Sequence, residues 1–240
     1  MSEVIWHDVE CGSYRADLPL WEELAAKTTG SIMELGCGTG RVTMHLGKDL
    51  ARHVLGVDRN PELVSSLWER SQMRSGLAEI GDVRDFDLAG KFELALAPMQ
   101  LIQLLDDEQD RIDCLSCVGD HLKPGGLAAF AIVEELLPLP LEGASPPLPD
   151  VRQTEGWIYS SLPLESVAGP DSIVLRRLRQ TVDPDGEMTE ELNEIELCVL
   201  SAETLEAEAI EAGLRPVGRR QIPPTDAHVG STVVLLQKVP

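Results

Sequence analysis

Apolar positions along this chain fall into two rhythms. Up to about residue 133, short apolar runs alternate with stretches of helical spacing. Ile32–Leu35, His53–Asp58, Ala78–Ile80, Phe92–Ala97 and Ala128–Val133 read as five strands. Asp17 to Thr28 predicts a helix with Asp17 as N-cap and Pro19 just inside its start. Arg41 to Leu50 predicts a second. Asn60-Pro61-Glu62 starts a third, with Leu63, Leu67 and Met73 on its apolar side. A fourth, Asp107 to Leu122, ends before Pro124-Gly125-Gly126. Strands alternating with helices predict a parallel sheet covered on both faces, with ligands bound outside the carboxyl ends of its strands.

The rhythm changes at Leu136. Five prolines fall within the fourteen residues Leu136–Pro149, a density that excludes a regular helix or an inner strand. Beyond this linker, Gly156–Leu162, Ile173–Val182 and Glu187–Leu200 read as antiparallel strands. Asp183-Pro184-Asp185-Gly186-Glu187 suits a tight hairpin turn with Gly186 in the left-handed position. If Asp183 faces Glu187, then Ile173 faces Leu197, Leu175 faces Ile195 and Arg176 faces Glu194, which joins apolar with apolar and cation with anion. Ser201 begins another helix carrying Thr204, Leu205 and Ile210, and Leu214–Arg220 and Ser231–Lys238 read as two last strands. The chain therefore reads as one domain over 1–240, with an N-terminal cap helix in 1–29, a core in 30–133, an antiparallel insertion in 134–200, and a helix and two strands in 201–240.

Chemistry concentrates after the first strand, in Glu34-Leu35-Gly36-Cys37-Gly38-Thr39-Gly40-Arg41. Alternate glycines let the backbone turn sharply and lie open to a ligand, and the amides of the next helix point at whatever sits there. Asp58, eighteen residues after Gly40, ends the second strand, where an acid binds ribose hydroxyls. A dinucleotide fingerprint places its third glycine one residue later, where this chain has Arg41. The acid at Glu34 also suits a cofactor with an amino group better than a pyrophosphate.

This loop resembles motif I of the class I S-adenosylmethionine methyltransferases. The likeness continues through Gly81-Asp82-Val83-Arg84-Asp85-Phe86, Phe92 to Gln100, and His121 to Val133, and the opening Tyr14 to Trp21 is similar to small-molecule members of the class. It implies a Rossmann-like methyltransferase sheet with helices on both faces, an antiparallel insertion after the fifth strand, and a last strand running antiparallel between the fifth and sixth. For S-adenosylmethionine it implies contacts from Tyr14, Glu34, Gly36, Cys37, Gly38 and Arg41, from Asp58 and Arg59 at the ribose, from Asp82 and Val83 at the adenine, and from Pro98, Met99, Gln100 and Gln103 after the fourth strand. Methyl transfer is an in-line displacement that depends chiefly on orientation, and it needs a base only where the acceptor must lose a proton. His7, Tyr14 and His228 are the candidate bases.

Charge narrows the acceptor. The net charge of −21, from 41 acids against 20 Lys and Arg, argues against nucleic acid and anionic membranes as partners. Arg176, Arg177, Arg179, Arg215, Arg219 and Arg220 are the only candidates for a basic patch. Absence of a long apolar run or a cleavable leader predicts a soluble, cytoplasmic protein. Cys114, Cys117 and His121 share a helical face, but with no fourth ligand nearby they read as buried reduced groups and no metal is expected. The expected activity is methyl transfer to a nitrogen or oxygen of a small-molecule acceptor. A nicotinamide-dependent oxidoreductase and a non-catalytic cofactor-binding regulator are the rival readings. The insertion is expected to act as a lid over the acceptor or as the surface of a homodimer.

Overall fold

The computed structural model describes residues 3–50, 53–71, 77–134, 147–225 and 228–239. Met73 and most of the proline-rich linker lie outside these residues. The chain begins with helices α1 (Glu3–Cys11) and α2 (Leu18–Ala26). It continues through β1 (Ile32–Leu35), α3 (Arg41–Leu50), β2 (Val54–Asp58), α4 (Pro61–Ser71), β3 (Ala78–Ile80) and β4 (Phe92–Ala97). A 3-10 turn, Leu101–Leu104, leads to α5 (Glu108–His121) and β5 (Leu122–Ile132). After the linker come β6 (Asp150–Thr154), β7 (Trp157–Ala168), β8 (Ser172–Val182) and β9 (Met188–Cys198), then α6 (Ala202–Glu211), β10 (Leu214–Ile222) and β11 (Ser231–Lys238).

Two sheets result. The first has seven strands in the order β10-β11-β5-β4-β1-β2-β3. β1 pairs in parallel with β2 and β4, and β11 runs antiparallel between β5 and β10. Both faces are covered, which is why its strands read as apolar runs rather than as alternating ones. On one face Met33, Leu35, Ala95 and Phe130 pack against Leu115 and Val118 of α5 and Leu205 of α6. On the other, Ile32, Leu94, Leu96 and Ala129 pack against Trp21 and Leu24 of α2 and Val42 and Leu46 of α3.

The second sheet has the order β6-β7-β8-β9, antiparallel throughout. Its β8–β9 hairpin has the expected register: Ile173 faces Leu197, Leu175 faces Ile195 and Arg176 faces Glu194. Gly186 stands at φ +88°, and the Asp183 carboxylate accepts the amides of Asp185 and Glu187, closing the turn.

Three expectations need correction. Asp17 does not cap α2. Its carboxylate accepts the Trp21 indole N–H and two bonds from Arg41, because a buried acid beside a buried guanidinium is worth more there than one exposed amide. β5 begins at Leu122, before the glycines. Its pairing with β4 skips between Leu122 and Leu127, so the turn is absorbed as a bulge. Finally, residues 3–11 form a helix of their own, α1, wedged between the first sheet's carboxyl ends and the second sheet.

Candidate functional site

The glycine loop leaves the end of β1 with Gly36, Gly38 and Gly40 at φ +62°, +53° and +92°, a conformation that disfavours any side chain. A Cβ on Gly38 would lie 2.1 Å from the His7 Nε2, and one on Gly36 would lie 2.7 Å from Leu101 Cδ1. The loop is thus a cradle of bare backbone that any substitution would fill. Asp58, at the end of β2, reaches across to it. Its Oδ2 accepts the Gly38 amide at 2.8 Å and its Oδ1 the Asn60 amide at 2.9 Å. The two features read from the sequence, glycine loop and ribose acid, are in direct contact.

Cys37 contributes backbone only. Its side chain turns away from the cradle onto Gly56, where an added Cβ would meet Sγ at 2.5 Å, and burial pushes its thiol up. Glu34 is wholly buried and accepts a hydrogen bond from the Thr43 hydroxyl. Burial raises its pKa to about 8, with Thr43 and Arg41 opposing. Arg41, one of the residues read as a cofactor contact, meets an acid of the fold. Both its terminal nitrogens donate to Asp17 at 2.7 Å and one also donates to the Tyr14 carbonyl, so its charge is already matched within the fold.

Asp82 and Val83 follow β3 as expected. The Asp82 carboxylate accepts three bonds from Arg84, which hold its pKa down at about 2 against burial, and Arg84 also donates to Asp110. Arg59 is exposed, and its charge acts on Asp82. After β4, Pro98 is buried and Met99 stands at φ +57°, a conformation costing a bulky residue about 1–3 kcal/mol and met chiefly at functional sites. Gln100 caps the 3-10 turn in a bridging conformation. Gln103, also read as a contact after the fourth strand, has its amide bonded within the fold. It is completely buried, its Nε2 donates to the carbonyls of Val133 and Cys198, and its Oε1 accepts the Val133 amide. Its amide braces the exit of β5 against the end of β9.

The candidate bases separate into two places. Tyr14 and His228 meet, with ring centroids 4.8 Å apart, and the Arg41 guanidinium lies 5.3 Å from the Tyr14 centroid. The β10–β11 connection therefore does reach the carboxyl end of the sheet. Burial, then the Asp17 charge, raises the Tyr14 pKa. His7 sits instead on Gly38. Thr39 has one hydroxyl proton, donated to Asp8 at 2.8 Å, so its oxygen accepts from His7 Nδ1 at 3.2 Å, and this pattern leaves the lone pair on Nε2. Burial lowers the His7 pKa although Asp58 and Asp8 oppose it.

Two acids of α1 were not singled out by sequence. Asp8 binds Thr39, both terminal nitrogens of Arg70 in α4, and Arg152 in β6. Glu10 binds Arg179 and Ser161 of the second sheet. Their one visible signal was the apolar partners beside them: Trp6 and Val9 are buried, Trp6 edge-on to Tyr159 at 5.8 Å. The helical Cys114, Cys117 and His121 are structural. Cys114 is buried, Cys117 Sγ donates to the Phe86 carbonyl, and His121 bridges the Cys117 carbonyl and the Leu88 amide.

Seven strands in this order, with a glycine loop after β1 and an acid after β2, define a Rossmann-like methyltransferase fold. The sugar N-methyltransferase KedS8 from Streptoalloteichus sp ATCC 53650 shares it, with a TM-score of 0.76 and 17% identity over 100% of this chain and 94% of that one. So does CalS10, an amino pentose methyltransferase from Micromonospora echinaspora, with a TM-score of 0.72 and 17% identity over 100% and 98%. Residues 32–126 match the family described as "Methyltransferase domain". The fold is therefore the one these methyltransferases share, and the sequence match to a methyltransferase domain covers residues 32–126.

In sequence, the chain is 31% identical over 98 residues to the cypemycin N-terminal methyltransferase of Streptomyces sp, a match covering 41% of this chain and 40% of that protein. It is 24% identical over 97 residues to dTDP-3-amino-3,4,6-trideoxy-alpha-D-glucopyranose N,N-dimethyltransferase of Streptomyces venezuelae, covering 40% of each. The match spans about two-fifths of the length of these relatives. Among the described residues, no helix is long and apolar enough to cross a membrane.

Proposed function

We propose that this protein transfers a methyl group from S-adenosylmethionine to an amine nitrogen of a small molecule. The contact between the glycine cradle and Asp58 carries the reading. It places a hydroxyl-binding acid beside open backbone at the carboxyl ends of β1 and β2. When bound, the sulfonium supplies an already activated methyl group. The chain's own part is to hold and orient. Asp58 would accept from ribose hydroxyls, Gly36 and Gly38 would present backbone, Glu34 would take the amino group, and Asp82 with the Val83 amide would border the adenine. The strained turn at Met99 and the Tyr14–His228 pair line the side from which an acceptor arrives, and the second sheet with α1 closes over it. Nitrogen is preferred to oxygen because KedS8 is a sugar N-methyltransferase, the Streptomyces venezuelae relative an N,N-dimethyltransferase and the cypemycin enzyme an N-terminal methyltransferase.

A homodimer and a cytoplasmic location belong to the same proposal. The outward face of the second sheet carries Leu162, Leu178 and Leu192 in one row across β7, β8 and β9, with Ile158, Val182 and Met188 beyond, which supports pairing with a second copy. Free thiols at all five cysteines fit a reducing compartment. Calorimetry tests the central claim. S-adenosylmethionine and S-adenosylhomocysteine are expected to bind and NAD is not; NAD binding without a response to S-adenosylhomocysteine would reject it. The charge of −21 further predicts no complex with tRNA or duplex DNA in a low-salt gel shift, where electrostatic binding is strongest.

A further inference from the structure

Asp8 ties three elements to one carboxylate. Its side chain is 4% exposed, and the carboxylate collects the Thr39 hydroxyl at 2.8 Å, Arg70 at 2.7 and 2.5 Å, and Arg152 at 2.6 Å. Thr39 belongs to the glycine loop, Arg70 to α4 and Arg152 to β6, the strand that begins the second sheet. Through Thr39 the same carboxylate holds His7 on Gly38. A helical turn's worth of α1 therefore touches the cofactor loop with one side and the second sheet with the other. Glu10 repeats the sheet contact through Arg179 and Ser161 but has no partner in the glycine loop among its bonds. Among the described residues, Asp8 is the acid of α1 bonded to both the loop and the sheet.

We propose that Asp8 is a positioning residue: it registers the second sheet against the glycine loop, so that filling the cofactor site is felt in β6 and β7. The proposal rests on the cofactor reading above. An in-line displacement tolerates little misplacement between donor and acceptor, and a displacement of about 1 Å can cost 100-fold in rate. Here the donor's cradle lies on one sheet and the proposed acceptor surface on another. Apart from the chain crossings after β5 and before α6, their alignment depends on side chains, and Asp8 supplies a carboxylate that both share. Coupling of this kind needs a physical element that both sites bias. The Thr39–Asp8–Arg152 chain of charge-assisted bonds is that element.

The carboxylate can be removed without emptying a core. Arg70 and Arg152 are 34% and 42% exposed, so water can take its place, and Asp8→Asn is expected to fold. Arg152→Gln is the gentler variant, since it cuts only the link to the sheet and touches nothing in the cradle. Hydrogen exchange with S-adenosylhomocysteine as the probe reads the coupling directly. In the unmodified protein the probe should slow exchange across residues 150–168. In Arg152→Gln it should still bind, with an affinity within about three-fold of the original, a change small against typical coupling factors. Its effect on 150–168 should nonetheless vanish, while protection of the glycine loop persists. Asp8→Asn should lose the same distant protection, and Asp8→Glu should restore part of it. A purely structural role would instead lower the melting temperature and leave the distant protection in place. Protection of 150–168 that survives in Arg152→Gln overturns the proposal. Failure of S-adenosylhomocysteine to bind the unmodified protein would strike the cofactor reading instead.

Discussion

In the seven-stranded sheet β1 buries all four of its residues and β4 all but one, whereas the inner face of the second sheet meets α1 through Arg152, Arg177 and Arg179 against Asp8 and Glu10. The first is held by apolar burial, which has no direction and adds up over area. The second is held by charge-assisted bonds, which are directional and few. The division suits the proposed work. A cradle that must keep a fixed shape is built on packed Val, Leu and Phe, while a surface that must meet a partner in the right place is set by bonds that specify position. It also predicts that equal-sized changes in the two sheets have unequal consequences.

The sharpest contrast is between Phe130→Ala and Leu192→Ala. Phe130 is buried in the first sheet, and its truncation should cost about 3–5 kcal/mol of stability. Leu192 is 57% exposed on the second, and its truncation should fall within about 0.5 kcal/mol of the unmodified protein. Urea unfolding measures both, and a comparable loss at the two positions would erase the distinction. Next in size, Asp58→Ala should weaken S-adenosylhomocysteine binding by about 1.5–3 kcal/mol, the worth of hydrogen bonds to a charged group, in a protein that still folds. An unchanged dissociation constant would take Asp58 out of the ribose site.

The smallest effect concerns Glu34. Burial raises its folded-state pKa to about 8, so the folded protein retains a proton that the unfolded chain releases near pH 4.5. Where the folded state binds more protons, stability falls as pH rises. The loss should therefore run from the ordinary carboxylate range up to about 8 and amount to about 1 kcal/mol between pH 7 and pH 8. Glu34→Gln should flatten that slope. The corresponding acids of the second sheet seam behave oppositely. Burial acts to raise Asp8 and Glu10, but the guanidiniums beside them hold both below the usual range, so their contribution disappears on acidification.

Much of the first sheet was legible in the sequence because its signals are local. The spans read for β1, β3 and β4 coincide with those observed, and the Gly186 turn determined the register of β8 and β9 from five adjacent residues. What escaped was long-range. Glu10 meets Arg179 across 169 positions and Asp8 meets Arg152 across 144, and no periodicity within α1 announces either partner. Gln103 looked like a ligand-facing amide for the same reason: its bonds go to carbonyls of Val133 and Cys198, 30 and 95 residues away. Arg41 was readable as part of the loop, but not as the partner of Asp17, because either residue alone satisfies an ordinary helix-end role.

Glu134 marks the place where the chain leaves the first sheet, and one of its carboxylate oxygens accepts the amide of Ala202, where the chain returns, while the other accepts the Thr232 hydroxyl. The excursion over residues 135–201 thus starts and finishes at one spot, clasped by a single side chain. The entropic penalty of closing a loop grows only with the logarithm of its length, about 0.6 kcal/mol for each doubling. Segments of quite different size could occupy this position while the cradle stayed as it is. For descent and for engineering alike, the clasp makes the insertion an exchangeable part, with α1 as the template that a replacement must fit.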